Sequence, residues 1–255
     1  MDIKDFETNS AYSPKTKYAG KVNFNTAVKN DYPTNEAFKT LRSNLLFCGS
    51  EIKTILITSS HENEGKSTIA TELSKSLAEI DKKTLLIDAD MRKSVILNRN
   101  LKTQNILGLS ELLSGQATVD QVLYSTQIPK FDVIFSGHFP PNPVELLSSD
   151  RLHDLIEAFE AEYDYIIIDT PPLSPVIDAA VISTHCDGAI LVISPGKVRQ
   201  YEAIVVKEQL SKSGCRILGA VLNSTSAKNV DRSTYYMKST YYYSDSGNTI
   251  KKRKF

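Results

Sequence analysis

Residues 54–79 carry the pattern that most constrains the fold: a strand, a polar loop and a helix in direct succession. The apolar run from Thr54 to Thr58 predicts a buried strand, and residues 66 to about 79 predict an amphipathic helix. Between them, Gly65-Lys66-Ser67-Thr68 matches the end of the phosphate-binding consensus G-x-x-x-x-G-K-[ST]. Backbone N–H groups at the start of such a helix face an anion, and the helix dipole favours negative charge there. The sequence therefore predicts a nucleotide-phosphate site, against the alternative of a plain strand-to-helix turn.

The loop departs from that consensus at two positions. Ser60 stands where the first glycine is expected, and Asn63 stands where a second glycine often occurs. Asn is the non-glycine residue that best tolerates a left-handed backbone, so the loop can still form. We expect Lys66 to reach the β- and γ-phosphates of ATP and the Ser67 hydroxyl to bind Mg²⁺. The predicted nucleotide-binding residues of the loop are Glu64, Gly65, Lys66, Ser67 and Thr68.

Two further apolar runs end in carboxylates. Residues 83–88 end in Asp88, with Asp90 two residues on, and residues 165–168 are followed by Asp169. Carboxylates at strand ends lie where ligands bind in open α/β sheets. Asp169 then has the position of a metal-holding acid, with helix capping as the alternative. Asn223, after the last predicted strand, is either an adenine contact or a turn residue.

The order of elements predicts one α/β domain with a mostly parallel central sheet and flanking helices. Predicted strands at 54–58, 83–88, 131–135, 165–168, 188–193 and 216–222 alternate with helical segments, as in βαβ units. Residues 1–33 lack a sustained apolar stripe and are expected to form a mobile arm that docks either on the domain or on a neighbouring molecule. A helix starting at Pro33-Thr34 then opens the domain, which extends to residue 223. Residues 224–255 are expected to form a flexible tail.

Composition narrows the function further. Thirty basic residues balance thirty acidic ones, so no overall field favours nucleic acid. The longest apolar runs have strand length, far below a membrane span, and the charged N-terminal segment lacks the apolar core of a signal peptide. Three cysteines without metal-ligand spacing suit a reducing cytoplasm. We therefore expect a cytoplasmic protein.

The tail concentrates tyrosines. Five of the twelve tyrosines fall within nine residues, among polar residues that cannot build a core: Tyr235, Tyr236, Tyr241, Tyr242 and Tyr243. A sticky aromatic patch that packs on a partner is the alternative to a chemical role. The basic run Lys251 to Lys254 either contacts anionic lipid or is a solvated end.

Together these residues resemble the bacterial tyrosine kinases (BY-kinases) of capsule and exopolysaccharide systems, in their free-standing cytoplasmic form. The loop to Thr68 is similar to the Walker A motif of that family, residues 85–92 to its A′ motif, and residues 165–172 to its Walker B motif. Pro140-Pro-Asn-Pro-Val-Glu-Leu-Leu147 adds to the match. The oligomerisation helix of the family, Glu-x-x-Arg-x-x-Arg, corresponds to Glu36, Lys39 and Arg42, with lysine in place of the first arginine.

The resemblance implies a ring-forming autokinase in which the tyrosine tail of one subunit enters the ATP site of its neighbour. It implies activation by the cytoplasmic segment of a membrane adaptor, reversal by a cognate tyrosine phosphatase, and control of polysaccharide export. Lys66, Asp88 and Asp90 are then the catalytic candidates, with Asp88 as base and Asp90 as second choice. Ser67, Asp88 and Asp169 are the Mg²⁺ candidates. Arg92 either senses phosphate or is a surface residue.

The main rival is a positioning ATPase of the MinD/ParA type, which shares the fold and the carboxylates. Those proteins carry a signature lysine five residues before the phosphate-loop lysine, and here that position is His61. The missing lysine argues against that class. A metal-cluster scaffold is a third idea, but it needs paired cysteines.

Overall fold

The computed structural model describes residues 17–25, 31–101 and 106–223. Within them, eight strands form one sheet in the order β1-β4-β5-β3-β6-β2-β7-β8. The predicted tail at 224–255, with all five of its clustered tyrosines, lies outside the described residues, as do residues 1–16 of the predicted arm. The strands are β1 (Gly20–Val22), β2 (Thr54–Ser59), β3 (Thr84–Asp88), β4 (Leu123–Thr126), β5 (Phe131–Ile134), β6 (Tyr165–Asp169), β7 (Gly188–Ile193) and β8 (Ile217–Leu222).

The sheet is mostly parallel, as predicted. The strands β5, β3, β6, β2, β7 and β8 run in one direction, because each pairs in parallel with its neighbour. The strand β4 pairs antiparallel with β5, and the edge strand β1 pairs in parallel with β4. The carboxyl ends of the six co-directional strands therefore share one edge of the sheet, where an open α/β fold binds its ligand.

Helices cover both faces of the sheet. The three helices α1 to α3 pack over one face, and the helices α4 to α9 pack over the other. Because both faces are covered, the central strands are apolar on both sides: Leu86 and Ile167 face one layer, and Ile87 and Ile168 face the other. The described helices are α1 (Tyr32–Leu46), α2 (Lys66–Ala78), α3 (Val95–Asn100), α4 (Leu109–Leu113), α5 (Val119–Val122), α6 (Pro143–Leu147), α7 (Asp150–Glu160), α8 (Asp178–Ser183) and α9 (Gln200–Lys212).

The described part of the N-terminal segment belongs to the sheet. Within the predicted arm at 1–33, residues Gly20–Val22 form the edge strand β1, which agrees with docking on the domain, one of the two alternatives that the sequence left open. Phe24 follows it and is buried, with its ring centroid 5.2 Å from that of Phe131. A strand of three residues carries too short a pattern to be recognised in sequence, and its partner β4 has only four residues. The folded domain thus begins before residue 34.

Helix α1 also begins earlier than predicted. It starts at Tyr32, and its cap is Asp31, whose side chain accepts a hydrogen bond from the Thr34 N–H at 3.0 Å. Pro33 lies in the first turn, where its missing N–H costs nothing. In the part of the chain that the structure describes, no helix is long and apolar enough to cross a membrane.

Candidate nucleotide-binding site

The loop between β2 and α2 has the backbone shape of a phosphate-binding loop. Asn63 and Gly65 adopt left-handed conformations, with φ of 60° and 89°, and α2 begins directly afterwards at Lys66. The prediction that Asn63 replaces a glycine in a left-handed position is confirmed. Because Lys66 opens the helix, the first N–H groups of α2 lack helical partners and point towards the edge where the strands end.

Glu64 holds this loop in place rather than projecting into it. Its side chain is buried, with 1% exposed. One carboxylate oxygen accepts the His61 N–H at 2.6 Å, and the other accepts the Ser194 N–H at 2.9 Å. The Glu64 carbonyl oxygen accepts the Ser194 hydroxyl at 3.2 Å and the Asn223 side-chain amide at 2.7 Å. Glu64 therefore ties the loop to the ends of β7 and β8.

Asn223 contacts the loop as well. A Cβ atom placed on Gly65 would lie 2.0 Å from the Asn223 amide nitrogen, so any side chain at position 65 would collide with it. Glu64 and Asn223 were predicted to bind the nucleotide itself. In this structure both side chains form hydrogen bonds within the protein and thereby shape the loop, while their contact with a nucleotide stays a prediction. Two more contacts hold the loop. Lys197, after β7, donates to the Asn63 carbonyl oxygen at 3.2 Å, and the His61 ring lies 3.3 Å from the carboxylate of Glu202 in the first turn of α9.

The three predicted carboxylates meet at the same edge. Asp88 and Asp169 are register partners on neighbouring strands, and both are fully buried. Asp90 lies on the loop after β3, with an oxygen 3.5 Å from the Lys66 ammonium nitrogen. All three acids therefore lie at the edge of the sheet where the strands end, and Asp90 contacts the phosphate-loop lysine there.

Asp88 and Asp90 are both engaged by neighbouring groups. The Ser94 hydroxyl donates to Asp88, and the Asp90 N–H donates to its other oxygen at 3.3 Å. Burial, followed by the charge of Asp169, raises the pKa of Asp88 well above its usual range. Asp90 accepts the backbone N–H groups of Arg92 and Lys93 at 3.3 and 3.0 Å, which shapes the turn after β3.

Asp169 is the carboxylate that lacks a partner. Neither of its oxygens has a hydrogen-bond partner among the described residues, although both are buried. Burial raises its pKa to about 6, opposed by the nearby charge of Lys66 and the hydroxyl of Ser67. An unpaired buried carboxylate is costly, so a cation is the group that fits it.

The residues present fit Mg²⁺ and a nucleotide. No cluster of three or more His, Cys, Asp or Glu side chains with metal-binding geometry occurs in the described ranges. Mg²⁺ does not need one, because it keeps several waters and binds through one or two protein oxygens plus substrate phosphates. Ser67, which is 5% exposed, and Asp169 supply such a pair. The left-handed loop and Lys66 supply the complementary groups for phosphate.

Arg92 is occupied by a buried acid. Its guanidinium donates two hydrogen bonds to Asp178, at 2.8 and 3.0 Å, and Asp178 is fully buried at the start of α8. Of the two alternatives that the sequence left open, the surface residue agrees with the structure, since the Arg92 side chain is 39% exposed, and its ion pair with Asp178 adds a role that the sequence did not indicate. This ion pair joins the turn that carries Asp90 to the helix that follows β6.

Relatives of known class match about three quarters of this chain. A family model described as an AAA domain matches residues 52–201. Tyrosine-protein kinase CpsD of Streptococcus agalactiae is 45% identical over 193 residues, covering 76% of this chain and 83% of that protein. Tyrosine-protein kinase YwqD of Bacillus subtilis is 37% identical over 204 residues, covering 79% and 86%. The chain belongs to the bacterial tyrosine kinase family.

Solved structures agree with this family assignment. The kinase domain of Escherichia coli tyrosine kinase ETK superposes with a TM-score of 0.70 at 30% identity, covering 83% of this chain and 92% of that chain. The septum site-determining protein MinD of Pyrococcus horikoshii, complexed with Mg-ADP, gives a TM-score of 0.58 at 25% identity, covering 71% and 75%. The predicted relation in fold to MinD is therefore confirmed, while the higher score lies with the kinase family.

The helix that resembles the family's oligomerisation motif makes contacts within its own chain. Glu36 and Lys39 form an exposed ion pair at 2.8 Å. Arg42 donates to the carbonyl oxygen of Ser76 at 2.7 Å, and Ser76 lies on α2, the helix that begins at the phosphate loop. Arg42 therefore links α1 to α2, and its predicted role between subunits stays a prediction.

Several residues that shape the site were missed from the sequence. Ser94 caps α3 and donates a hydrogen bond to Asp88. Asp178 accepts hydrogen bonds from Arg92, and the Ser194 N–H donates to Glu64. Only Ser194 carried a usable signal, because it directly follows a buried strand at the ligand edge. The other two come together only through the packing of α3 and α8.

Proposed function

We propose that this chain is an ATP-dependent protein-tyrosine kinase that phosphorylates the tail tyrosines of another copy of itself, between residues 235 and 243. The observation that carries the proposal is Asp169 at the end of β6, which is buried and has no hydrogen-bond partner among the described residues. It lies near Lys66, the residue that follows the phosphate-binding loop. Membership in the tyrosine kinase family, and tyrosines gathered in the tail, support the choice of phosphoryl acceptor.

The residues of the loop bind and orient the nucleotide. The N–H groups at the start of α2 and the Lys66 ammonium group hold the phosphates, while Glu64 and Asn223 keep the loop in its binding shape. Ser67 and Asp169, with Asp88 beside them, would hold Mg²⁺, which supplies neutralisation of phosphate charge when bound. Asp90, close to Lys66, keeps the ammonium group directed at the edge of the sheet.

Asp88 is positioned to take the proton of the acceptor. A tyrosine hydroxyl has a pKa near ~10 and gains from a base as it attacks. As a P–O bond forms to the tyrosine oxygen, the bond to the ADP oxygen breaks and the phenolic proton passes to the Asp88 carboxylate. Asp90, which lies after β3 beside Lys66, is the second candidate.

The partners of the family extend the proposal. A membrane adaptor would bring the chain to the inner face of the cell membrane and activate it, and a cognate tyrosine phosphatase would reverse the modification. A ring of subunits would present each tail to a neighbour through Glu36, Lys39 and Arg42. The phosphorylation state would then set capsular or exopolysaccharide synthesis and export.

The experiment is mass spectrometry of the full-length chain after incubation with Mg–ATP and the cytoplasmic adaptor segment. We expect phosphate on tyrosines 235–243, and we expect its loss in Lys66→Met with the circular dichroism spectrum unchanged. Lys207→Met, an exposed lysine on α9, is the matched control and should label normally.

The same experiment addresses the positioning-ATPase alternative, which the likeness to MinD supports. ATP turnover without phosphotyrosine would favour that alternative. Persistent labelling of pure Lys66→Met protein would contradict the assignment of the phosphate loop.

A further inference from the structure

A cavity of about 380 Å³ lies at the carboxyl end of β5, beside the proposed active site. It is lined by α4, the segment after β5 and the proline-rich turn that leads into α6. Glu111 and Glu145 are among its lining residues, and no lysine or arginine is, as far as the described residues show. The negative charge of these two side chains therefore favours a cation in the cavity.

Glu111 is held in its charged form at the wall of this cavity. Its carboxylate accepts the Gly108 N–H at 2.8 Å and lies 2.8 Å from the His138 ring nitrogen Nδ1. Burial alone would raise the pKa of Glu111, but these hydrogen bonds outweigh it and lower the pKa. Glu145 stands opposite on α6 and is exposed, with one oxygen 3.2 Å from the Asn142 amide nitrogen.

The remaining walls suit the stem of a long basic side chain. Phe139 is 49% exposed, and Pro140 and Pro141 follow it. An aromatic ring attracts a cation that lies over its face, and aliphatic stems of lysine and arginine pack on apolar surface.

The tail sequence repeats a motif that contains such a cation. Residues 232–236 read Arg-Ser-Thr-Tyr-Tyr, and residues 238–242 read Lys-Ser-Thr-Tyr-Tyr. In both copies a basic residue stands three positions before the first tyrosine. Two of the five clustered tyrosines, Tyr235 and Tyr241, are thus each preceded by a basic residue, a serine and a threonine.

The spacing of that motif matches the spacing of the two sites. Strand β5 is separated from β6, which ends in Asp169, by β3 alone, so the distance across the sheet is about 10 Å. Three residues of extended chain span at most about 10–11 Å. A basic side chain in the cavity therefore leaves a tyrosine at the carboxylates of β3 and β6.

We propose that the cavity beside β5 binds Arg232 or Lys238 from the tail of a second copy and so selects the tyrosine three residues later for phosphorylation. The proposal rests on the kinase function proposed above and names the feature of the substrate that the kinase recognises. Glu111 and Glu145 neutralise the basic group, and Phe139 and the prolines contact its stem.

A second copy fits better than the chain's own tail. Asn223 follows β8, five strand spacings or about 24 Å from β5. The nine residues from Asn223 to Arg232 span at most about 30–32 Å. They would have to cross the phosphate loop on β2 and pass the carboxylates before Tyr235 turned back towards them. A tail that arrives from another molecule meets no such obstacle.

The test uses charge reversal on both partners, with full-length chains and the adaptor segment. Tagged Lys66→Met protein serves as acceptor, and untagged kinase serves as donor. We expect donor Glu145→Lys to phosphorylate the acceptor about tenfold more slowly, and Glu157→Lys, an exposed acid on α7, to act normally. An acceptor with Arg232→Glu and Lys238→Glu should lose a similar factor with wild-type donor, and the Glu145→Lys donor should restore most of it.

Binding of a fluorescent peptide of residues 229–245 to the full-length chain separates the two proposals. A weaker Kd for Glu145→Lys, with ADP affinity unchanged, supports the cavity even if no phosphotyrosine forms, in which case only the kinase function fails. Equal rates and equal peptide affinity for Glu145→Lys and wild type would overturn the cavity proposal. A fall in ADP affinity that accounts for the slower rate would overturn it too.

Discussion

Replacement of Glu64 by alanine tests whether the phosphate loop is held in shape before any nucleotide arrives. The change removes the acceptor of two backbone N–H groups, those of His61 and Ser194. Hydrogen bonds to charged groups contribute about 1.5–3 kcal/mol each, so a rigid loop would lose about 3–6 kcal/mol. Relaxation of the loop lowers this, and we expect a loss of about 3 kcal/mol in the free energy of unfolding. Thermal unfolding should then shift down by about 6–12 °C.

Nucleotide affinity should fall with stability. If the free loop favours other conformations by about 1.4–2.8 kcal/mol, the apparent Kd rises by about 10- to 100-fold, because only the competent fraction binds. Titration calorimetry with Mg–ADP measures this directly. Glu64→Gln should also weaken Mg–ADP binding. Its side-chain NH₂ group would face the Ser194 N–H, and two donors cannot form a hydrogen bond with each other.

Glu62→Ala is the matched control for the Glu64 variants. Glu62 lies in the same loop, but its side chain is 54% exposed and pairs with Lys93 at 2.7 Å. Exposed ion pairs contribute about 0–1 kcal/mol, so the variant should bind Mg–ADP without loss. If Glu64→Ala bound Mg–ADP as tightly as Glu62→Ala does, the loop would not depend on Glu64 and the reasoning would be refuted.

Two further predictions concern the buried acid and the N-terminal segment. Asp169→Asn should raise the stability of metal-free protein by about 1–3 kcal/mol at pH 8, because one pKa unit is worth about 1.4 kcal/mol. The raised pKa of about 6 means that wild-type stability falls as pH rises through that value, and the asparagine variant should lose this trend in urea titrations. It should also bind ADP without dependence on Mg²⁺; retained dependence would exclude Asp169 as a metal ligand. Phe24→Ala should cost about 3–5 kcal/mol by urea denaturation, since Phe24 is 3% exposed. Phe47→Ala, at 85% exposure, should cost under about 0.5 kcal/mol, and equal costs would remove β1 from the folded core.

The central strands could be predicted because each carries its own signal. In β3, β6 and β7 a buried apolar run is followed directly by a polar residue at the ligand edge, so local pattern and tertiary role agree. The phosphate loop and the three acids followed from the same reasoning, because parallel strands bring their ends together. Asn63 showed that a missing glycine can be replaced where only the left-handed conformation matters.

The rest depends on contacts that no local pattern contains. Strands β1 and β4 lie at one side of the sheet, and both are stabilised by neighbours rather than by composition. The role of Glu64 depends on where Ser194 lies, and that follows from the pairing of β2 with β7. For the same reason the sequence did not indicate that Glu64 and Asn223 contact each other and hold the loop, while their predicted contact with the nucleotide stays a prediction.

The covering of both faces of the sheet has a consequence for folding fidelity. Ile166, Ile167 and Ile168 are all fully buried, so sliding β6 by one residue would exchange its faces without exposing an apolar side chain. Hydrophobicity therefore does not select the alignment of β6 against β3. A slip would instead carry Asp169 away from Asp88, its partner at the strand end, and drive a carboxylate between apolar layers. The acids assigned to chemistry thus also act as markers that reject misaligned strands while the sheet assembles.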